Sequence, residues 1–148
     1  QNIAAIGSFQ RPKAQLLGLR GAPGNLINHR TSYWVPNHTK RSFVSNVDVV
    51  SGPGYDRMGE IGRPSNRYHD LYRVVSNLGV FDFDTPDNRM RLRSIHPGVE
   101  VSEIIGNTDF EIVIPENLEL SRLPSEAELE IINVIDPTEL RYSEVQDA

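Results

Sequence analysis

Tyr72-Arg73-Val74-Val75-Ser76-Asn77-Leu78-Gly79-Val80-Phe81-Asp82-Phe83-Asp84 is the stretch from which the rest of the chain is best read. Tyr72, Val74 and Val75 are β-favouring residues and mark a strand over residues 67–76. Asn77-Leu78-Gly79 is a turn, one residue longer than a two-residue Asn-Gly hairpin. Residues 80–84 alternate apolar and acidic side chains, the period of a half-buried strand. After a turn at 85–88, Met90, Leu92 and Ser94 alternate with Arg91 and Arg93, giving a third strand. Residues 67–95 thus read as an antiparallel meander.

Downstream, Pro97-Gly98 starts a helix. Val101, Ile104 and Ile105 share one of its faces, and Gly106-Asn107 stops it. A strand is expected over 110–114. Ser125 and Glu128 have capping-box spacing, with Glu126 in the acidic first turn. Leu129, Ile132, Val134 and Ile135 form the apolar stripe of that helix. Asp136-Pro137 reads as an N-cap opening one last turn. The tail from Ser143 is polar.

Upstream, residues 2–7 are a short apolar strand and residues 10–20 are mixed. Gly21-Ala22-Pro23-Gly24-Asn25 reads as a turn-rich loop before a short helix at 26–29. Residues 42–50 carry Phe43, Val44, Val47, Val49 and Val50 and predict one or two strands. Residues 55–66, with Gly59, Gly62 and Pro64, read as a loop. The fold class is α/β with a mixed sheet, expected as one domain over residues 1–148. Gln1 stands where an initiator Met would, and the chain looks as though it opens inside a strand.

Composition narrows function. The chain has 148 residues, no cysteine, and no apolar run near the ~20 residues of a membrane span. A disulfide scaffold, a thiolate nucleophile and a cysteine zinc site are excluded. Residues 1–74 carry a net charge of +6 and residues 75–148 carry −11. The basic half is expected to face an anion or a partner chain, and the acidic half to be mainly solvated. Four spaced basic residues in a chain of isoelectric point about 5.3 make a poor nucleic-acid signature.

No nucleophile elbow, phosphate loop or dinucleotide fingerprint is present. His29, His38, His69 and His96 show no helical i, i+4 pair, so no metal is expected and each reads as a hydrogen-bonding residue. Arg91 and Arg93 read as one strand face opposite Asp82 and Asp84, forming cross-strand ion pairs. Glu60 sits in the Gly-flanked stretch Gly59-Glu60-Ile61-Gly62, a weaker catalytic candidate. The segment Gly21–Asn25 is the best candidate site. Backbone N–H groups before a helix can hold an anion or a developing oxyanion. Pro23 has no N–H and pushes Ala22 toward an extended conformation, which leaves Ala22, Gly24 and Asn25 as donors, with Leu26 as a further one. Arg11, Lys13, Arg20 and Arg30 surround this segment in sequence, with Tyr33 and Trp34 beyond, as a site for a phosphorylated, partly apolar ligand would.

Several segments in order carry a resemblance. They are Gly21–Asn25, then Val47-Asp48-Val49-Val50-Ser51-Gly52-Pro53-Gly54, then the meander, then Ile95-His96-Pro97-Gly98-Val99, then Thr108-Asp109-Phe110-Glu111. This order resembles the C-terminal half of the β subunit of class I coenzyme A transferases, over residues 1–140. Gly24-Asn25-Leu26-Ile27-Asn28-His29, Thr31-Ser32-Tyr33-Trp34-Val35 and Asn37-His38 resemble a branch that hydrolyses rather than transfers, the steroid-ring-cleaving CoA-thioester hydrolases of bacterial cholesterol catabolism. The resemblance implies a three-layer CoA-transferase sheet, incomplete at its N-terminus. It implies a cytoplasmic α2β2 enzyme with an α subunit, no cofactor beyond the CoA of its substrate, and retro-Claisen opening of a cyclic ketone. Gly21, Ala22, Gly24 and Asn25 would then be the oxyanion or thioester-binding loop. The transferases use a glutamate in a Glu-Asn-Gly-type motif upstream of that loop. Residues 1–20 contain no Glu, so the catalytic base is expected on the α subunit or in a preceding segment. The alternatives are a CoA-transferase β subunit and a non-catalytic assembly subunit.

Overall fold

The computed structural model describes residues 5–7, 10–15, 21–47 and 50–143, with backbone alone for 5–7 and 12–15. The chain forms two compact units. One comprises residues 1–32 and 46–72, the other 33–45 and 73–148.

In the first unit, β1 (Ala5–Gly7) pairs antiparallel with β2 (Pro12–Gln15). Helix α1 spans Gly21–Asn28, so the segment read as a loop is the first turn and a half of a helix. Pro23 does not prevent this. It sits in the first turn, where its missing N–H has no ladder partner to lose. Strand β3 (Arg30–Val35) follows and runs from the first unit into the second. Helix α2 (Tyr55–Ile61) replaces the loop expected at 55–66. Met58 is its buried residue, and Gly62 ends it at φ 71°, a conformation glycine adopts without strain.

The second unit contains the meander as read. It consists of β4 (Asp70–Ser76), which begins in the first unit, β5 (Gly79–Asp82) and β6 (Arg91–Ile95). Val74 faces Phe81 and Gly79 faces Ile95 across antiparallel ladders. Helix α3 (Val101–Gly106) buries Ile104. It starts three residues beyond Gly98, whose φ of 86° makes the turn that precedes it. Strand β7 (Glu119–Leu120) adds to β6 in parallel, so the sheet is mixed, as expected, in the order β3-β4-β5-β6-β7.

The strand predicted at 110–114 is reduced to one bridge, Arg91 to Val113. Phe43 lies in an irregular segment, not in the predicted strand at 42–50; positions 48–49 lie outside the described residues. Helix α4 (Glu126–Ile135) has the full capping box: Ser125 accepts from the Glu128 N–H and Glu128 accepts from the Ser125 N–H. Arg122 first, then Ser125, holds the Glu128 carboxyl down at about 2. Asp136 is the C-cap of α4. Its carboxylate also accepts from the N–H groups of Leu140 and Arg141 and so braces the final 3₁₀ turn (Leu140–Ser143), but that turn begins at Leu140, not with Pro137 in its first position as expected.

The core of the second unit is Phe43, Val74, Leu78, Phe81, Leu92, Ile95, Ile104 and Ile112. The tightest approach is at Gly79, where a Cβ would lie 2.8 Å from the Ser94 carbonyl oxygen and 3.2 Å from Leu92 Cδ1. Backbone cannot yield as a side chain would. Gly79→Ala is expected to destabilise by about 2 kcal/mol, read as a lower denaturant midpoint at unchanged slope.

Candidate functional site

The candidate segment sits at the N-terminus of α1. Gly21 and Ala22 occupy the first two helical positions, where N–H groups have no intrahelical acceptor. Gly24 and Asn25 fall where the ladder takes up the N–H, so of the four candidates only Gly21 and Ala22 carry N–H groups that the helix ladder does not use. Gly24 contributes bareness instead. Among the described residues, a Cβ at Gly21 or Gly24 would meet nothing within 4 Å beyond the helix's own backbone.

The other end of α1 is anchored. Leu26 is buried, Asn28 donates its side-chain N–H to the Gly24 carbonyl at 2.8 Å, and His69 donates from Nδ1 to the Leu26 carbonyl at 2.7 Å. Tyr55 packs edge-on against His69 at 5.0 Å. The carbonyls that His69 and Asn28 satisfy belong to the last turn and middle of the helix, so the N-terminal donors stay unengaged from that side.

Of the basic residues expected around this segment, Arg30 is committed elsewhere. Its Nε donates to Asp70 at 2.6 Å and its guanidinium lies 4.5 Å over the Tyr72 ring. The Lys13 side chain and Arg20 lie outside the described residues. Glu60 is exposed on α2, not in a loop. Trp34 is 52 % exposed on β3, while Tyr33 packs against the core of the second unit. Among the described residues no three His, Asp or Glu side chains gather as a metal site.

His38 resembles a catalytic histidine in its partners but not in its setting. It is 3 % exposed and stacked on Phe43 at 3.6 Å. Nδ1 lies 2.9 Å from Ser76 Oγ and Nε2 lies 2.9 Å from Thr108 Oγ1. Thr108 donates its own hydroxyl to the Ile104 carbonyl, so it accepts from His38 Nε2–H. Ser76 accepts from the N–H groups of Leu78 and Gly79, so it donates to Nδ1. The imidazole is thus neutral with both nitrogens satisfied. Burial lowers its pKa to about 4. His96 donates from Nε2 to the Ser76 carbonyl at 3.0 Å. Three of the four histidines, His38, His69 and His96, therefore hold backbone or hydroxyl groups, as expected of structural hydrogen bonders.

The expected cross-strand ion pair is present but buried. Asp82 is 1 % exposed, and Arg91 bonds both its carboxylate oxygens at 2.9 Å. Arg93 lies 3.5 Å away and Arg73 4.0 Å. Burial pushes the Asp82 carboxyl up, but the Arg91 hydrogen bonds, the Asp84 N–H and the Arg91 and Arg73 charges outweigh it, and the net shift is downward. Its contribution is therefore present above the ordinary carboxylate range and lost as pH falls through the lowered value. Arg91→Met is expected to cost about 3 kcal/mol, because it leaves a buried carboxylate short of its bidentate partner. Chemical denaturation at pH 7 measures this, and Asp82→Asn in the same background should recover part of it.

No protein-family model matches the chain. Curated relatives do. The cholesterol ring-cleaving hydrolase IpdB subunit of Mycobacterium tuberculosis is 53 % identical over 147 residues, which is 99 % of this chain and 58 % of that protein. A glutaconate CoA-transferase subunit of Acidaminococcus fermentans is 30 % identical over 141 residues, 92 % of this chain and 52 % of that protein. The crystal structure of Rhodococcus jostii RHA1 IpdAB superposes with a TM-score of 0.88 at 49 % identity, covering 99 % of this chain and 59 % of that one. The chain thus spans somewhat over half the length of the relatives it matches. Among the described residues no helix is long and apolar enough to cross a membrane. With this fold, and with half its residues shared along nearly its whole length, the chain is homologous to the corresponding part of the IpdB-type β subunits, and more distantly to that of CoA-transferase β subunits.

Proposed function

We propose that this chain is part of the β subunit of a two-subunit hydrolase that opens a cyclic-ketone ring in a steroid-derived CoA thioester. The observation that carries the reading is the 53 % identity to a ring-cleaving hydrolase subunit over 147 of the 148 residues.

The chemistry is a retro-Claisen hydrolysis. A base takes a proton from water, and the hydroxide adds to the ring ketone. The bond between that carbon and the thioester α-carbon then breaks. Its electron pair delocalises onto the thioester oxygen, and the α-carbon takes a proton. One ring becomes one open chain ending in a carboxylate. The thioester oxygen gains charge on the way to the enolate, so fixed donors there lower the barrier. Gly21 and Ala22 N–H at the positive end of α1 are suited to this, and Gly24 leaves room for the thioester to approach. The base comes from the α subunit or from a segment preceding residue 1. The working enzyme is an α/β heteromer in the cytoplasm with no cofactor beyond the substrate's own CoA.

The second reading, CoA transfer between carboxylic acids, is favoured by the relative that is a glutaconate CoA-transferase subunit. Incubating the α/β enzyme with a cyclic β-keto CoA thioester and excess acetate or succinate separates the two. Ring-opened CoA thioester by mass spectrometry supports hydrolysis. Intact ring with acetyl- or succinyl-CoA overturns it. Assembly without turnover of any thioester leaves the non-catalytic subunit.

A further inference from the structure

We propose that α4 and its flanking residues are the docking surface for the second subunit, seated in an apolar groove with basic side chains on its rim. The inference rests on the two-subunit reading above. From Ser121 to Ser143 no residue is buried, and among the described residues the core of the second unit takes no side chain beyond Leu118. Yet this segment is rich in large apolar groups. Val134 is 81 % exposed, Ile135 76 %, Leu123 67 % and Ile131 58 %.

At ~100° per residue, Leu129, Ile131, Ile132, Val134 and Ile135 cover an arc of roughly 220°. A helix lying on a flat surface needs about half that arc, so α4 is shaped for a groove. A ten-residue helix is marginal alone in water, even with a capping box, and needs tertiary cover. The segment orders its own ends, through Arg122 with Glu128 and Arg141 with Asp136, and so presents a preformed face.

Charge selects the occupant. Asn133, Glu126 and Glu130 form the strip of α4 outside that arc, Glu128 falls within the arc and is paired with Arg122, and no basic side chain lies on the helix. Arg122 and Arg141 are both engaged with acidic neighbours, whereas Glu126 and Glu130, one turn apart, have no cationic partner among the described residues. Two carboxylates at i, i+4 repel. A second copy of α4 would bring four together. A groove with Lys or Arg at its rim relieves the repulsion.

The test uses the full β chain with its α subunit, measured by native mass spectrometry and hydrogen exchange. Ile131→Asp with Ile135→Asp is expected to weaken the heteromer at least 100-fold. Glu126→Lys with Glu130→Lys, which leaves the apolar face intact, should weaken it about 10-fold. The α4 amides should be protected only when α is present. Unchanged affinity in both variants overturns the proposal. So does protection of α4 in the β chain alone, which would mean its own chain covers it, or a β homodimer that the aspartates dissolve. These readouts do not involve turnover, so failure of the hydrolase reading leaves them standing.

Discussion

Gly24→Val is expected to lower kcat/KM on the CoA thioester at least 100-fold while leaving the thermal midpoint within a few degrees. The separation follows from geometry. Among the described residues nothing beyond the helix's own backbone lies within 4 Å of a Cβ at Gly24. Valine is a slightly better helix former than glycine, so the change costs the helix nothing. What valine does occupy is the space beside the Gly21 and Ala22 donors. A displacement of about 1 Å of a reacting group costs on the order of 10²-fold. Gly24→Ala should show a smaller loss with a modest gain in stability. The heteromer is checked by mass, so that a lost contact with α is not mistaken for a lost contact with substrate. Unchanged turnover in a properly assembled Gly24→Val enzyme would make the α1 segment purely structural.

The largest effect on stability is expected at His38. His38→Ala removes a ring stacked on Phe43 and takes one hydrogen-bond partner from each of two core hydroxyls. The cavity and the two lost hydrogen bonds together are expected to cost about 4 kcal/mol, a fall of roughly 10 °C in Tm for a chain of this size. The same residue sets an acid sensitivity. The imidazole titrates at about 4 when folded and near 6.5 when unfolded. Between those values the unfolded chain binds the extra proton, so stability falls as pH drops from about 6.5 to about 4 and levels off below. The loss from this group reaches about 3 kcal/mol. His38→Phe keeps the stack and should erase this part of the pH slope. Denaturant midpoints from pH 7 to pH 4 in both proteins measure it, and identical slopes would refute the neutral, buried imidazole.

The meander, α3 and the capping box of α4 are legible in the sequence because their signals are local. Alternation gives β5 and β6, i, i+4 spacing gives α3, and Ser125 with Glu128 fixes the start of α4. Residues 42–50 mislead because β-branched composition says nothing of what anchors it. Phe43 is fixed by the His38 ring and by its carbonyl accepting from the Asp109 N–H at 3.0 Å, contacts no local pattern announces. Strand β3 does carry a local signal: Arg-Thr-Ser-Tyr-Trp-Val alternates, and Thr31, Tyr33 and Val35 are its half-buried face. Helix α2 is masked by Gly54, Gly59 and Gly62, although Met58 on its buried face marks it. At α1, glycine and proline look like punctuation, whereas proline within a first helical turn is compatible with the helix. The candidate residues of α1 can be picked from sequence, but which of them keep a donor N–H depends on the helix starting at Gly21.

If the chain belongs to a hydrolase, water and not a carboxylic acid acceptor completes the reaction. Turnover of the cyclic β-keto CoA thioester by the α/β enzyme in H₂¹⁸O tests this most directly. Hydrolysis predicts a single ¹⁸O in the new carboxylate of a ring-opened product whose thioester to CoA is intact. An unopened ring, or CoA carried to an added acid, would contradict it.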